Sequence, residues 1–460
     1  MHCHSEIDLE QLRPFIRHDT LESLSGSAKF NIAFAGKIKD LPRINAQNLY
    51  KVKASGKVEL EDVRFKLKNN PLEFSRFDGE LTLLDNDVEV HALKGSISSS
   101  DVKLSGVFHN FITFLLIPNQ PAMIQASCSS NRLDLDELLA NKRSGSASDT
   151  SYLLQISPRL IADLDVVVNR LHFRKFDAEN LHGRIRLEHQ VISGTGLAFS
   201  TMKGNAIMDA TIDASHKDGI LMSCDAKLKQ IDINLMFSEL ENFDQSTMTD
   251  KNVKGKVSAD VQFTSSWSTG LEINPAKVVA HADITVEEGE LNNFRPILAL
   301  AKYMKIPDLN HIRFSTLHNT ISIANRKINL PLMEIKSSAL NLTGSGIHDF
   351  ENNVDYHLRL LLSDVLGKKA KSSITEFGEV EDDGLGRTQL FISMKGPVDN
   401  PKFAYDRTGA KEKLKTDIAH EKENMKSILH QEFGLYKKDP PVSSVTAKKK
   451  EEMQVDWNEQ

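Results

Sequence analysis

The residues best suited to metal or acid–base chemistry do not complete a known motif. His420 and Glu421 begin like the helix of a zinc protease, but Asn424 occupies the place of the second histidine ligand. Histidine and cysteine crowd residues 2–4, where a frayed terminus explains them better than a metal site. The sequence therefore predicts no metal site.

Clustered carboxylates have structural explanations as well. Asp85–Asp87 lacks the glycine and the distal glutamate of a calcium loop and is typical of a hairpin turn. Asp134 and Asp136 alternate with leucines, and Glu381–Asp383 precedes a glycine, so solvated turns or helix starts are expected. P-loop, nucleophile-elbow and dinucleotide signatures are missing from the sequence. We expect a protein that is not an enzyme and uses no cofactor.

Composition narrows the class of partner. A net charge of −6 and an aromatic content of 7% give no support to nucleic-acid binding. The three cysteines form no CxxC pair.

The longest apolar run, Phe111–Ile117, has the length of a strand and is too short to span a bilayer. Residues 1–6 do not resemble a signal peptide, and we expect a membrane anchor to precede this chain in a longer protein.

A multi-strand unit recurs along the chain. Residues 79–107 and 319–344 share the same order of strands and turns, and residues 183–204 repeat it more weakly. Within these units apolar residues alternate with Thr, Glu, Lys, Asn and Arg, which predicts strands with one apolar and one polar face. The expected fold is mainly β: a long, repetitive, curved sheet with a few short helices and a C-terminal helix.

One strand predicts a local bend. In residues 58–67 the apolar positions change from even to odd at about Asp62. A bulge or tight turn there would keep both sets on one face and add curvature.

The repeats divide the chain into four parts. These are a β module at 1–141, cut short at its N-terminal side, a second β module at 151–250, a third at 251–405 with a short helix at 293–304, and a C-terminal helix with a disordered tail at 406–460. Further helices are expected near Asp134–Asn141 and from Gly409 to about Phe433. Lys142–Thr150 has the composition of a linker or loop.

The apolar stripes provide the only sizeable candidate site. They fit either the closed core of two packed sheets or a trough whose apolar face stays open to acyl chains, and alternation alone does not separate the two. The candidate lining residues are Val58, Leu60, Leu81, Leu83, Val88, Val90, Val102, Leu104, Ile185, Leu187, Ile321, Ile323, Ile328, Leu330, Leu340 and Leu342.

Three segments resemble the C-terminal region of the AsmA family, large envelope proteins related to TamB and YhdP. They are Ile284–Ile297 with the short helix that follows, the Leu340–Gly344 repeat, and the closing phrase Met394–Phe403. Each pattern is degenerate, but their order and spacing together are fairly specific. The resemblance covers most of residues 7–405.

The resemblance implies a periplasmic protein tethered to the inner membrane, with an apolar β groove that conducts phospholipid between the inner and outer membranes. It favours the open trough, in which the curved β-sheet forms an open groove or folds over like a taco. The family offers no catalytic residues to carry over. A second hypothesis remains, an outer-membrane assembly scaffold that binds partner proteins through its sheet edges.

Overall fold

A computed structural model describes residues 2–11, 21–35, 50, 52–68, 70–117, 119–140, 152–338 without 301–308, 341–361, 381–382 and 388–406. The chain divides into two compact units, Met1–Tyr405 and Asp406–Gln460. The described residues of the first unit form one long, open, curved sheet that does not close into a barrel. The predicted fold class is thereby confirmed.

The described part of the sheet contains 22 strands. They are β1 (His2–Asp8), β2 (Leu21–Ala35), β3 (Lys53–Leu67), β4 (Glu73–Leu84), β5 (Asp87–Ile97), β6 (Ser100–His109), β7 (Ala122–Ser130), β8 (Leu133–Asp134), β9 (Leu160–Phe173), β10 (Phe176–Glu188), β11 (Val191–Thr201), β12 (Gly204–Asp213), β13 (Ile220–Asp232), β14 (Val253–Trp267), β15 (Val279–Asn292), β16 (His311–Ala324), β17 (Lys327–Lys336), β18 (Asn341–Asp349), β19 (Asn353–Leu361), β20 (Glu381–Asp382), β21 (Thr388–Pro397) and β22 (Lys402–Tyr405).

The order of strands follows the sequence. Antiparallel ladders join successive strands from β1 to β7 and from β9 to β19, and β21 follows β19 and pairs with β20 and β22. Within the described residues, the parallel pairings are those of β9 with β7 and β8. The sheet runs on across residue 250, since β13 pairs with β14. The module boundaries predicted from the sequence stay a prediction.

Bulges bend the strands where the apolar residues change from even to odd positions or the reverse. Asp62 adopts a left-handed backbone with φ 47°, and the β3–β4 register shifts between Leu60 and Val63. The predicted bulge is thus confirmed. A similar irregularity occurs in β13, where Gln230 has φ 55° and the register shifts between Leu228 and Ile231. Such bulges increase the local twist and curve the sheet.

The described helices are short and lie at strand ends. The α-helices are α1 (Phe111–Leu116), α2 (Leu135–Leu139), α3 (Ile233–Glu239) and α4 (Arg295–Leu300), and the 3₁₀ helices are Glu241–Asp244 and Pro275–Lys277. α2 lies within the predicted helix near Asp134–Asn141, and α4 lies within the one predicted at 293–304. The predicted C-terminal helix and the predicted linker lie outside the described residues.

One expectation about local structure changes and another is confirmed. The apolar run Phe111–Ile117 has strand length, yet six of its residues form α1, which begins after Asn110 in a left-handed conformation. Asp134, for which a solvated turn or a helix start was expected, lies at a helix start: it accepts a hydrogen bond from the backbone N–H of Glu137 and is only 7% exposed. It is a helix N-cap, as its position before an apolar run allows. Residues 85–86 form the hairpin turn expected between β4 and β5.

The two long edges of the sheet, formed by strand ends, differ in structure. We call the edge that carries α2, α3 and α4 the helical rim, because β8, β13 and β15 end there. We call the opposite edge the hairpin rim. It carries α1 and tight turns such as those at residues 189–190 and 325–326.

Candidate functional site

The candidate site is the apolar face of the sheet. Ladder pairing places directly opposed residues on the same face, so rows of side chains can be followed from strand to strand. One uninterrupted row crosses the sheet from β2 to β21. Its members are Phe30, Val58, Leu81, Val90, Gly106, Ala126, Leu164, Ile185, Gly194, Ala210, Cys224, Phe263, Ala280, Ile323, Ile328, His348, Val354 and Gly396.

A second row runs beside the first and is equally apolar until it reaches β14. It consists of Ile32, Gly56, Leu83, Val88, Phe108, Ile124, Ala162, Leu187, Ile192, Ile212, Met222 and Ser265. The two rows form a continuous apolar surface along the sheet.

The structure places the predicted lining residues on this one face. Six of them are members of the first row and three of the second, and the remaining described ones alternate with these along the same strands. Leu340 lies outside the described residues. Sequence reasoning missed Leu164, Ile192, Ile212 and Phe263, because their strands alternate with Ala, Gly and Cys, which weakens the pattern.

These lining residues keep part of their surface exposed. Val88 and Val90 are 6% and 3% exposed, but every other described lining residue is half-buried. A core between two packed sheets would bury such side chains almost completely. The face is therefore apolar and incompletely covered at these positions, whereas beside α3 it is covered, since Ile231 and Val257 are 1% and 5% exposed there.

The opposite face of the sheet is charged. Arg184 binds Asp163 through two hydrogen bonds of 2.6 and 2.7 Å, which hold the pKa of that carboxyl down at about 2. Lys57 pairs with Glu80 at 2.5 Å on neighbouring strands. Such exposed pairs contribute little stability but keep this face wet. The two faces therefore differ sharply in polarity.

Titratable groups on the apolar face are shifted toward their neutral forms. Burial raises the pKa of Cys224 to about 11, with smaller contributions from Asp225 and Asp209, and raises the pKa of Cys128. Burial also raises the pKa of Tyr356 to about 12 and lowers the pKa of His348. Because burial is the largest cause in all four, the face has a low-dielectric environment.

Among the described residues, polar contacts join the two rims at three places, which we call the bridges. On the helical rim, the Arg174 guanidinium donates to the Leu271 carbonyl at 3.0 Å, Thr247 Oγ1 donates to Asn352 Oδ1 at 2.6 Å, and Arg295 pairs with Asp399 at 2.7 Å.

Each of these bridges reaches the hairpin rim five strands further on, from β9 to β14, from β13 to β18 and, since β21 follows β19, from β15 to β21. The regular offset indicates a sheet that coils about a long axis, as accumulated strand twist requires.

A strap of chain accompanies the first bridge. Tyr152–Arg159 begins at the helical rim, where the Tyr152 hydroxyl donates to Asp136 Oδ1 at 2.7 Å. It ends at the hairpin rim, where the Arg159 carbonyl accepts from the Ala122 N–H at 3.0 Å. Between these points the Leu154 N–H donates to the Thr269 carbonyl at 3.2 Å. The strap therefore connects the two rims beside β9.

The structure and the comparisons leave the site defined by geometry alone. Within the described residues no group of three or more His, Cys, Asp or Glu is placed to hold a metal ion, and no helix is long and apolar enough to cross a bilayer. Comparison with family models, curated proteins and solved structures found no match. The face itself is a long apolar surface that follows the described strands from β2 to β21.

Proposed function

We propose that this protein is a lipid-transfer conduit, which binds the acyl chains of phospholipids along the apolar face. The observation that carries the proposal is the continuous row from Phe30 to Gly396, most of whose members remain half-buried. An exposed apolar surface of this extent normally has a partner. Each methylene of an acyl chain that it buries contributes about 0.8 kcal/mol.

The location of the conduit and the two membranes that it connects rest on the resemblance to the AsmA family. On that basis the conduit lies in the periplasm of a bacterial envelope, tethered to the inner membrane, and moves phospholipid between the inner and outer membranes. Because the contacts are apolar and without directed hydrogen bonds, they hold lipid weakly and unselectively. Weak repeated contacts allow a lipid to slide from one strand to the next.

The test is native mass spectrometry with lipid extraction on the purified chain in detergent-free buffer. We expect several phospholipids per chain. Leu83→Asp and Ile323→Asp place a charge in the lining, since Leu83 pairs with Val88 and Ile323 with Ile328. Both should reduce lipid content while the protein stays folded.

A matched control uses exposed apolar residues on the charged face. Ile207→Asp and Leu221→Asp introduce the same charge at side chains that are 56% and 46% exposed. They should leave lipid content unchanged. A lipid-free wild-type chain would exclude the conduit, and unfolding caused by the lining variants alone would indicate a closed core.

The scaffold hypothesis draws on one feature of the sheet. β1 pairs with β2 on one side, and its other side carries no ladder among the described residues. Such an edge can accept a partner strand. A chain without lipid that captures an extended peptide along β1 would favour this function.

A further inference from the structure

A patch of exposed apolar side chains lies at one corner of the hairpin rim. Its members are large and strongly exposed: Phe34 (40%), Tyr50 (46%), Leu84 (49%), Leu115 (55%) and Leu116 (48%). Exposed apolar residues are common singly, but a cluster of them marks an interaction surface.

Hydrogen bonds show that these five residues share one corner. Phe34 pairs with Ala54, whose carbonyl accepts a 2.6 Å hydrogen bond from the N–H that follows Leu84. The Tyr50 hydroxyl contacts Asn110 Oδ1 at 3.4 Å, and Asn110 is the N-cap of α1. α1 in turn carries Leu115 and Leu116. The corner therefore joins the ends of β2, β3 and β4 to α1.

α1 connects this patch to the interior of the trough. Phe111 and Ile112, at its start, pack against the buried cluster of Val88, Val90 and Phe108 on the apolar face. Leu115 and Leu116, at its end, face solvent. The six-residue helix therefore presents apolar surface on both sides, and the patch is continuous with the lining.

Charges at the corner are arranged for an anionic or zwitterionic surface. Lys53 pairs with Asp85 at 2.7 Å, and the Asp87 carboxylate contacts His109 at 2.9 Å, so both acidic groups have basic partners. Arg159 lies over the Phe114 ring, 5.1 Å from its centroid. An arginine beside an aromatic ring at an apolar border is suited to lipid phosphate, because its stem stays in apolar contact.

We propose that this corner inserts into the surface of a lipid bilayer and serves as the port through which lipid passes between the membrane and the trough. Aromatic and leucine side chains bury at the headgroup boundary, as in interfacial helices. A port is favoured over a protein-binding surface because the patch is continuous with the lining. The passage of lipid rests on the proposed function, whereas the docking does not.

The experiment is vesicle flotation with liposomes of phosphatidylethanolamine and phosphatidylglycerol. The double variant Leu115→Asp/Leu116→Asp should bind at least about tenfold more weakly than the wild type. The double variant Ile207→Asp/Leu221→Asp is the matched control, with the same charge change at equally exposed positions on the charged face. It should float like the wild type, and circular dichroism should show both variants folded.

Two readouts separate the two proposals. The port would be overturned if the wild type and the Leu115→Asp/Leu116→Asp variant floated equally, or if neither floated. It would also be overturned if the patch bound only protein. Lipid extraction reports on the trough independently. If the wild type floats but carries no lipid, the docking stands and the conduit fails. If the patch variant retains lipid but takes up fluorescent phospholipid slowly, both stand.

Discussion

The middle of the sheet and its C-terminal end use the same sequence pattern and bury it differently. In β10 the alternating residues Ile185 and Leu187 are half-buried. In β19 and β21 the corresponding Leu360, Leu390 and Ile392 are 0%, 4% and 3% exposed. An alternating strand therefore specifies which face is apolar and leaves open whether that face is covered.

The cover at the C-terminal end comes from α4. Its residues Ile297 and Leu298 pack on the cluster that contains Leu360, and Leu309 and Ile312 are buried in the same cluster. In the middle of the sheet, the cluster that contains α3 reaches only the start of β10, at Phe176, and Ile185 and Leu187 belong to none of the buried clusters of the described residues. Whether a strand lines a trough or a core depends on a segment distant in sequence.

The largest expected effect is a difference in the cost of truncation. Leu360→Ala leaves a cavity in a filled core and should lower the free energy of unfolding by about 2–5 kcal/mol. Leu187→Ala removes a side chain that already meets solvent and should cost about 1 kcal/mol or less. Urea denaturation of both variants measures the difference. Equal costs would mean that the middle is as closed as the end.

A smaller effect is expected when the cover itself is altered. Ile297→Ala should reduce the free energy of unfolding by about 1–2 kcal/mol, since Ile297 is half-buried on the cluster. The variant should also bind more of an apolar fluorescent dye, because the end of the trough loses part of its cover. Ile207→Ala, at a position 56% exposed on the charged face, is the control and should change neither quantity. Unchanged dye binding in both would show that α4 is not the cover.

The smallest effect concerns pH at the closed end. Burial lowers the pKa of His348, against opposing contributions from Asn352 and Asp349. The unfolded chain therefore binds a proton at His348 more readily than the folded protein does. The neutral His348 ring contributes to the free energy of unfolding above the ordinary histidine pKa of about 6.5. This contribution is lost as the pH falls below that value.

Comparison with His348→Gln isolates this contribution. Wild-type stability relative to the variant should decline between about pH 7.5 and 5.5, which thermal melting at several pH values measures. A parallel pH dependence in both proteins would show that the His348 ring is solvated, and the closed end would then be as wet as the middle.

Much of the fold was predictable because alternation is a local signal. The apolar face of β3, β4 and β5 and the bulge at Asp62 follow from residue order alone. The strands β11 to β13 were weaker predictions, because Ala206, Ala210 and Cys224 carry little hydrophobic contrast. A strand can be predicted from the sequence when the hydrophobicity of its two faces differs strongly.

The bridges between the rims had no signal in the sequence. Thr247 and Asn352 are 105 residues apart, and nothing about either predicts their hydrogen bond. It depends on twist summed over the five steps from β13 to β18, which no single segment encodes. The exposed corner at α1 was not predicted from the sequence either. Phe111–Ile117 has the length of a strand, but Phe111–Leu116 form a helix.

The three bridges between the rims divide the opening of the trough into separate gaps. If lipid moves with its headgroup outside, it must cross each bridge in turn, and transport becomes a series of hops whose slowest step sets the flux. The Arg295–Asp399 pair is 75% and 74% exposed, and surface pairs of this kind are worth about 1 kcal/mol or less. Such contacts break and re-form often by thermal motion. The sheet can therefore stay coiled while the opening of the trough is not permanently blocked.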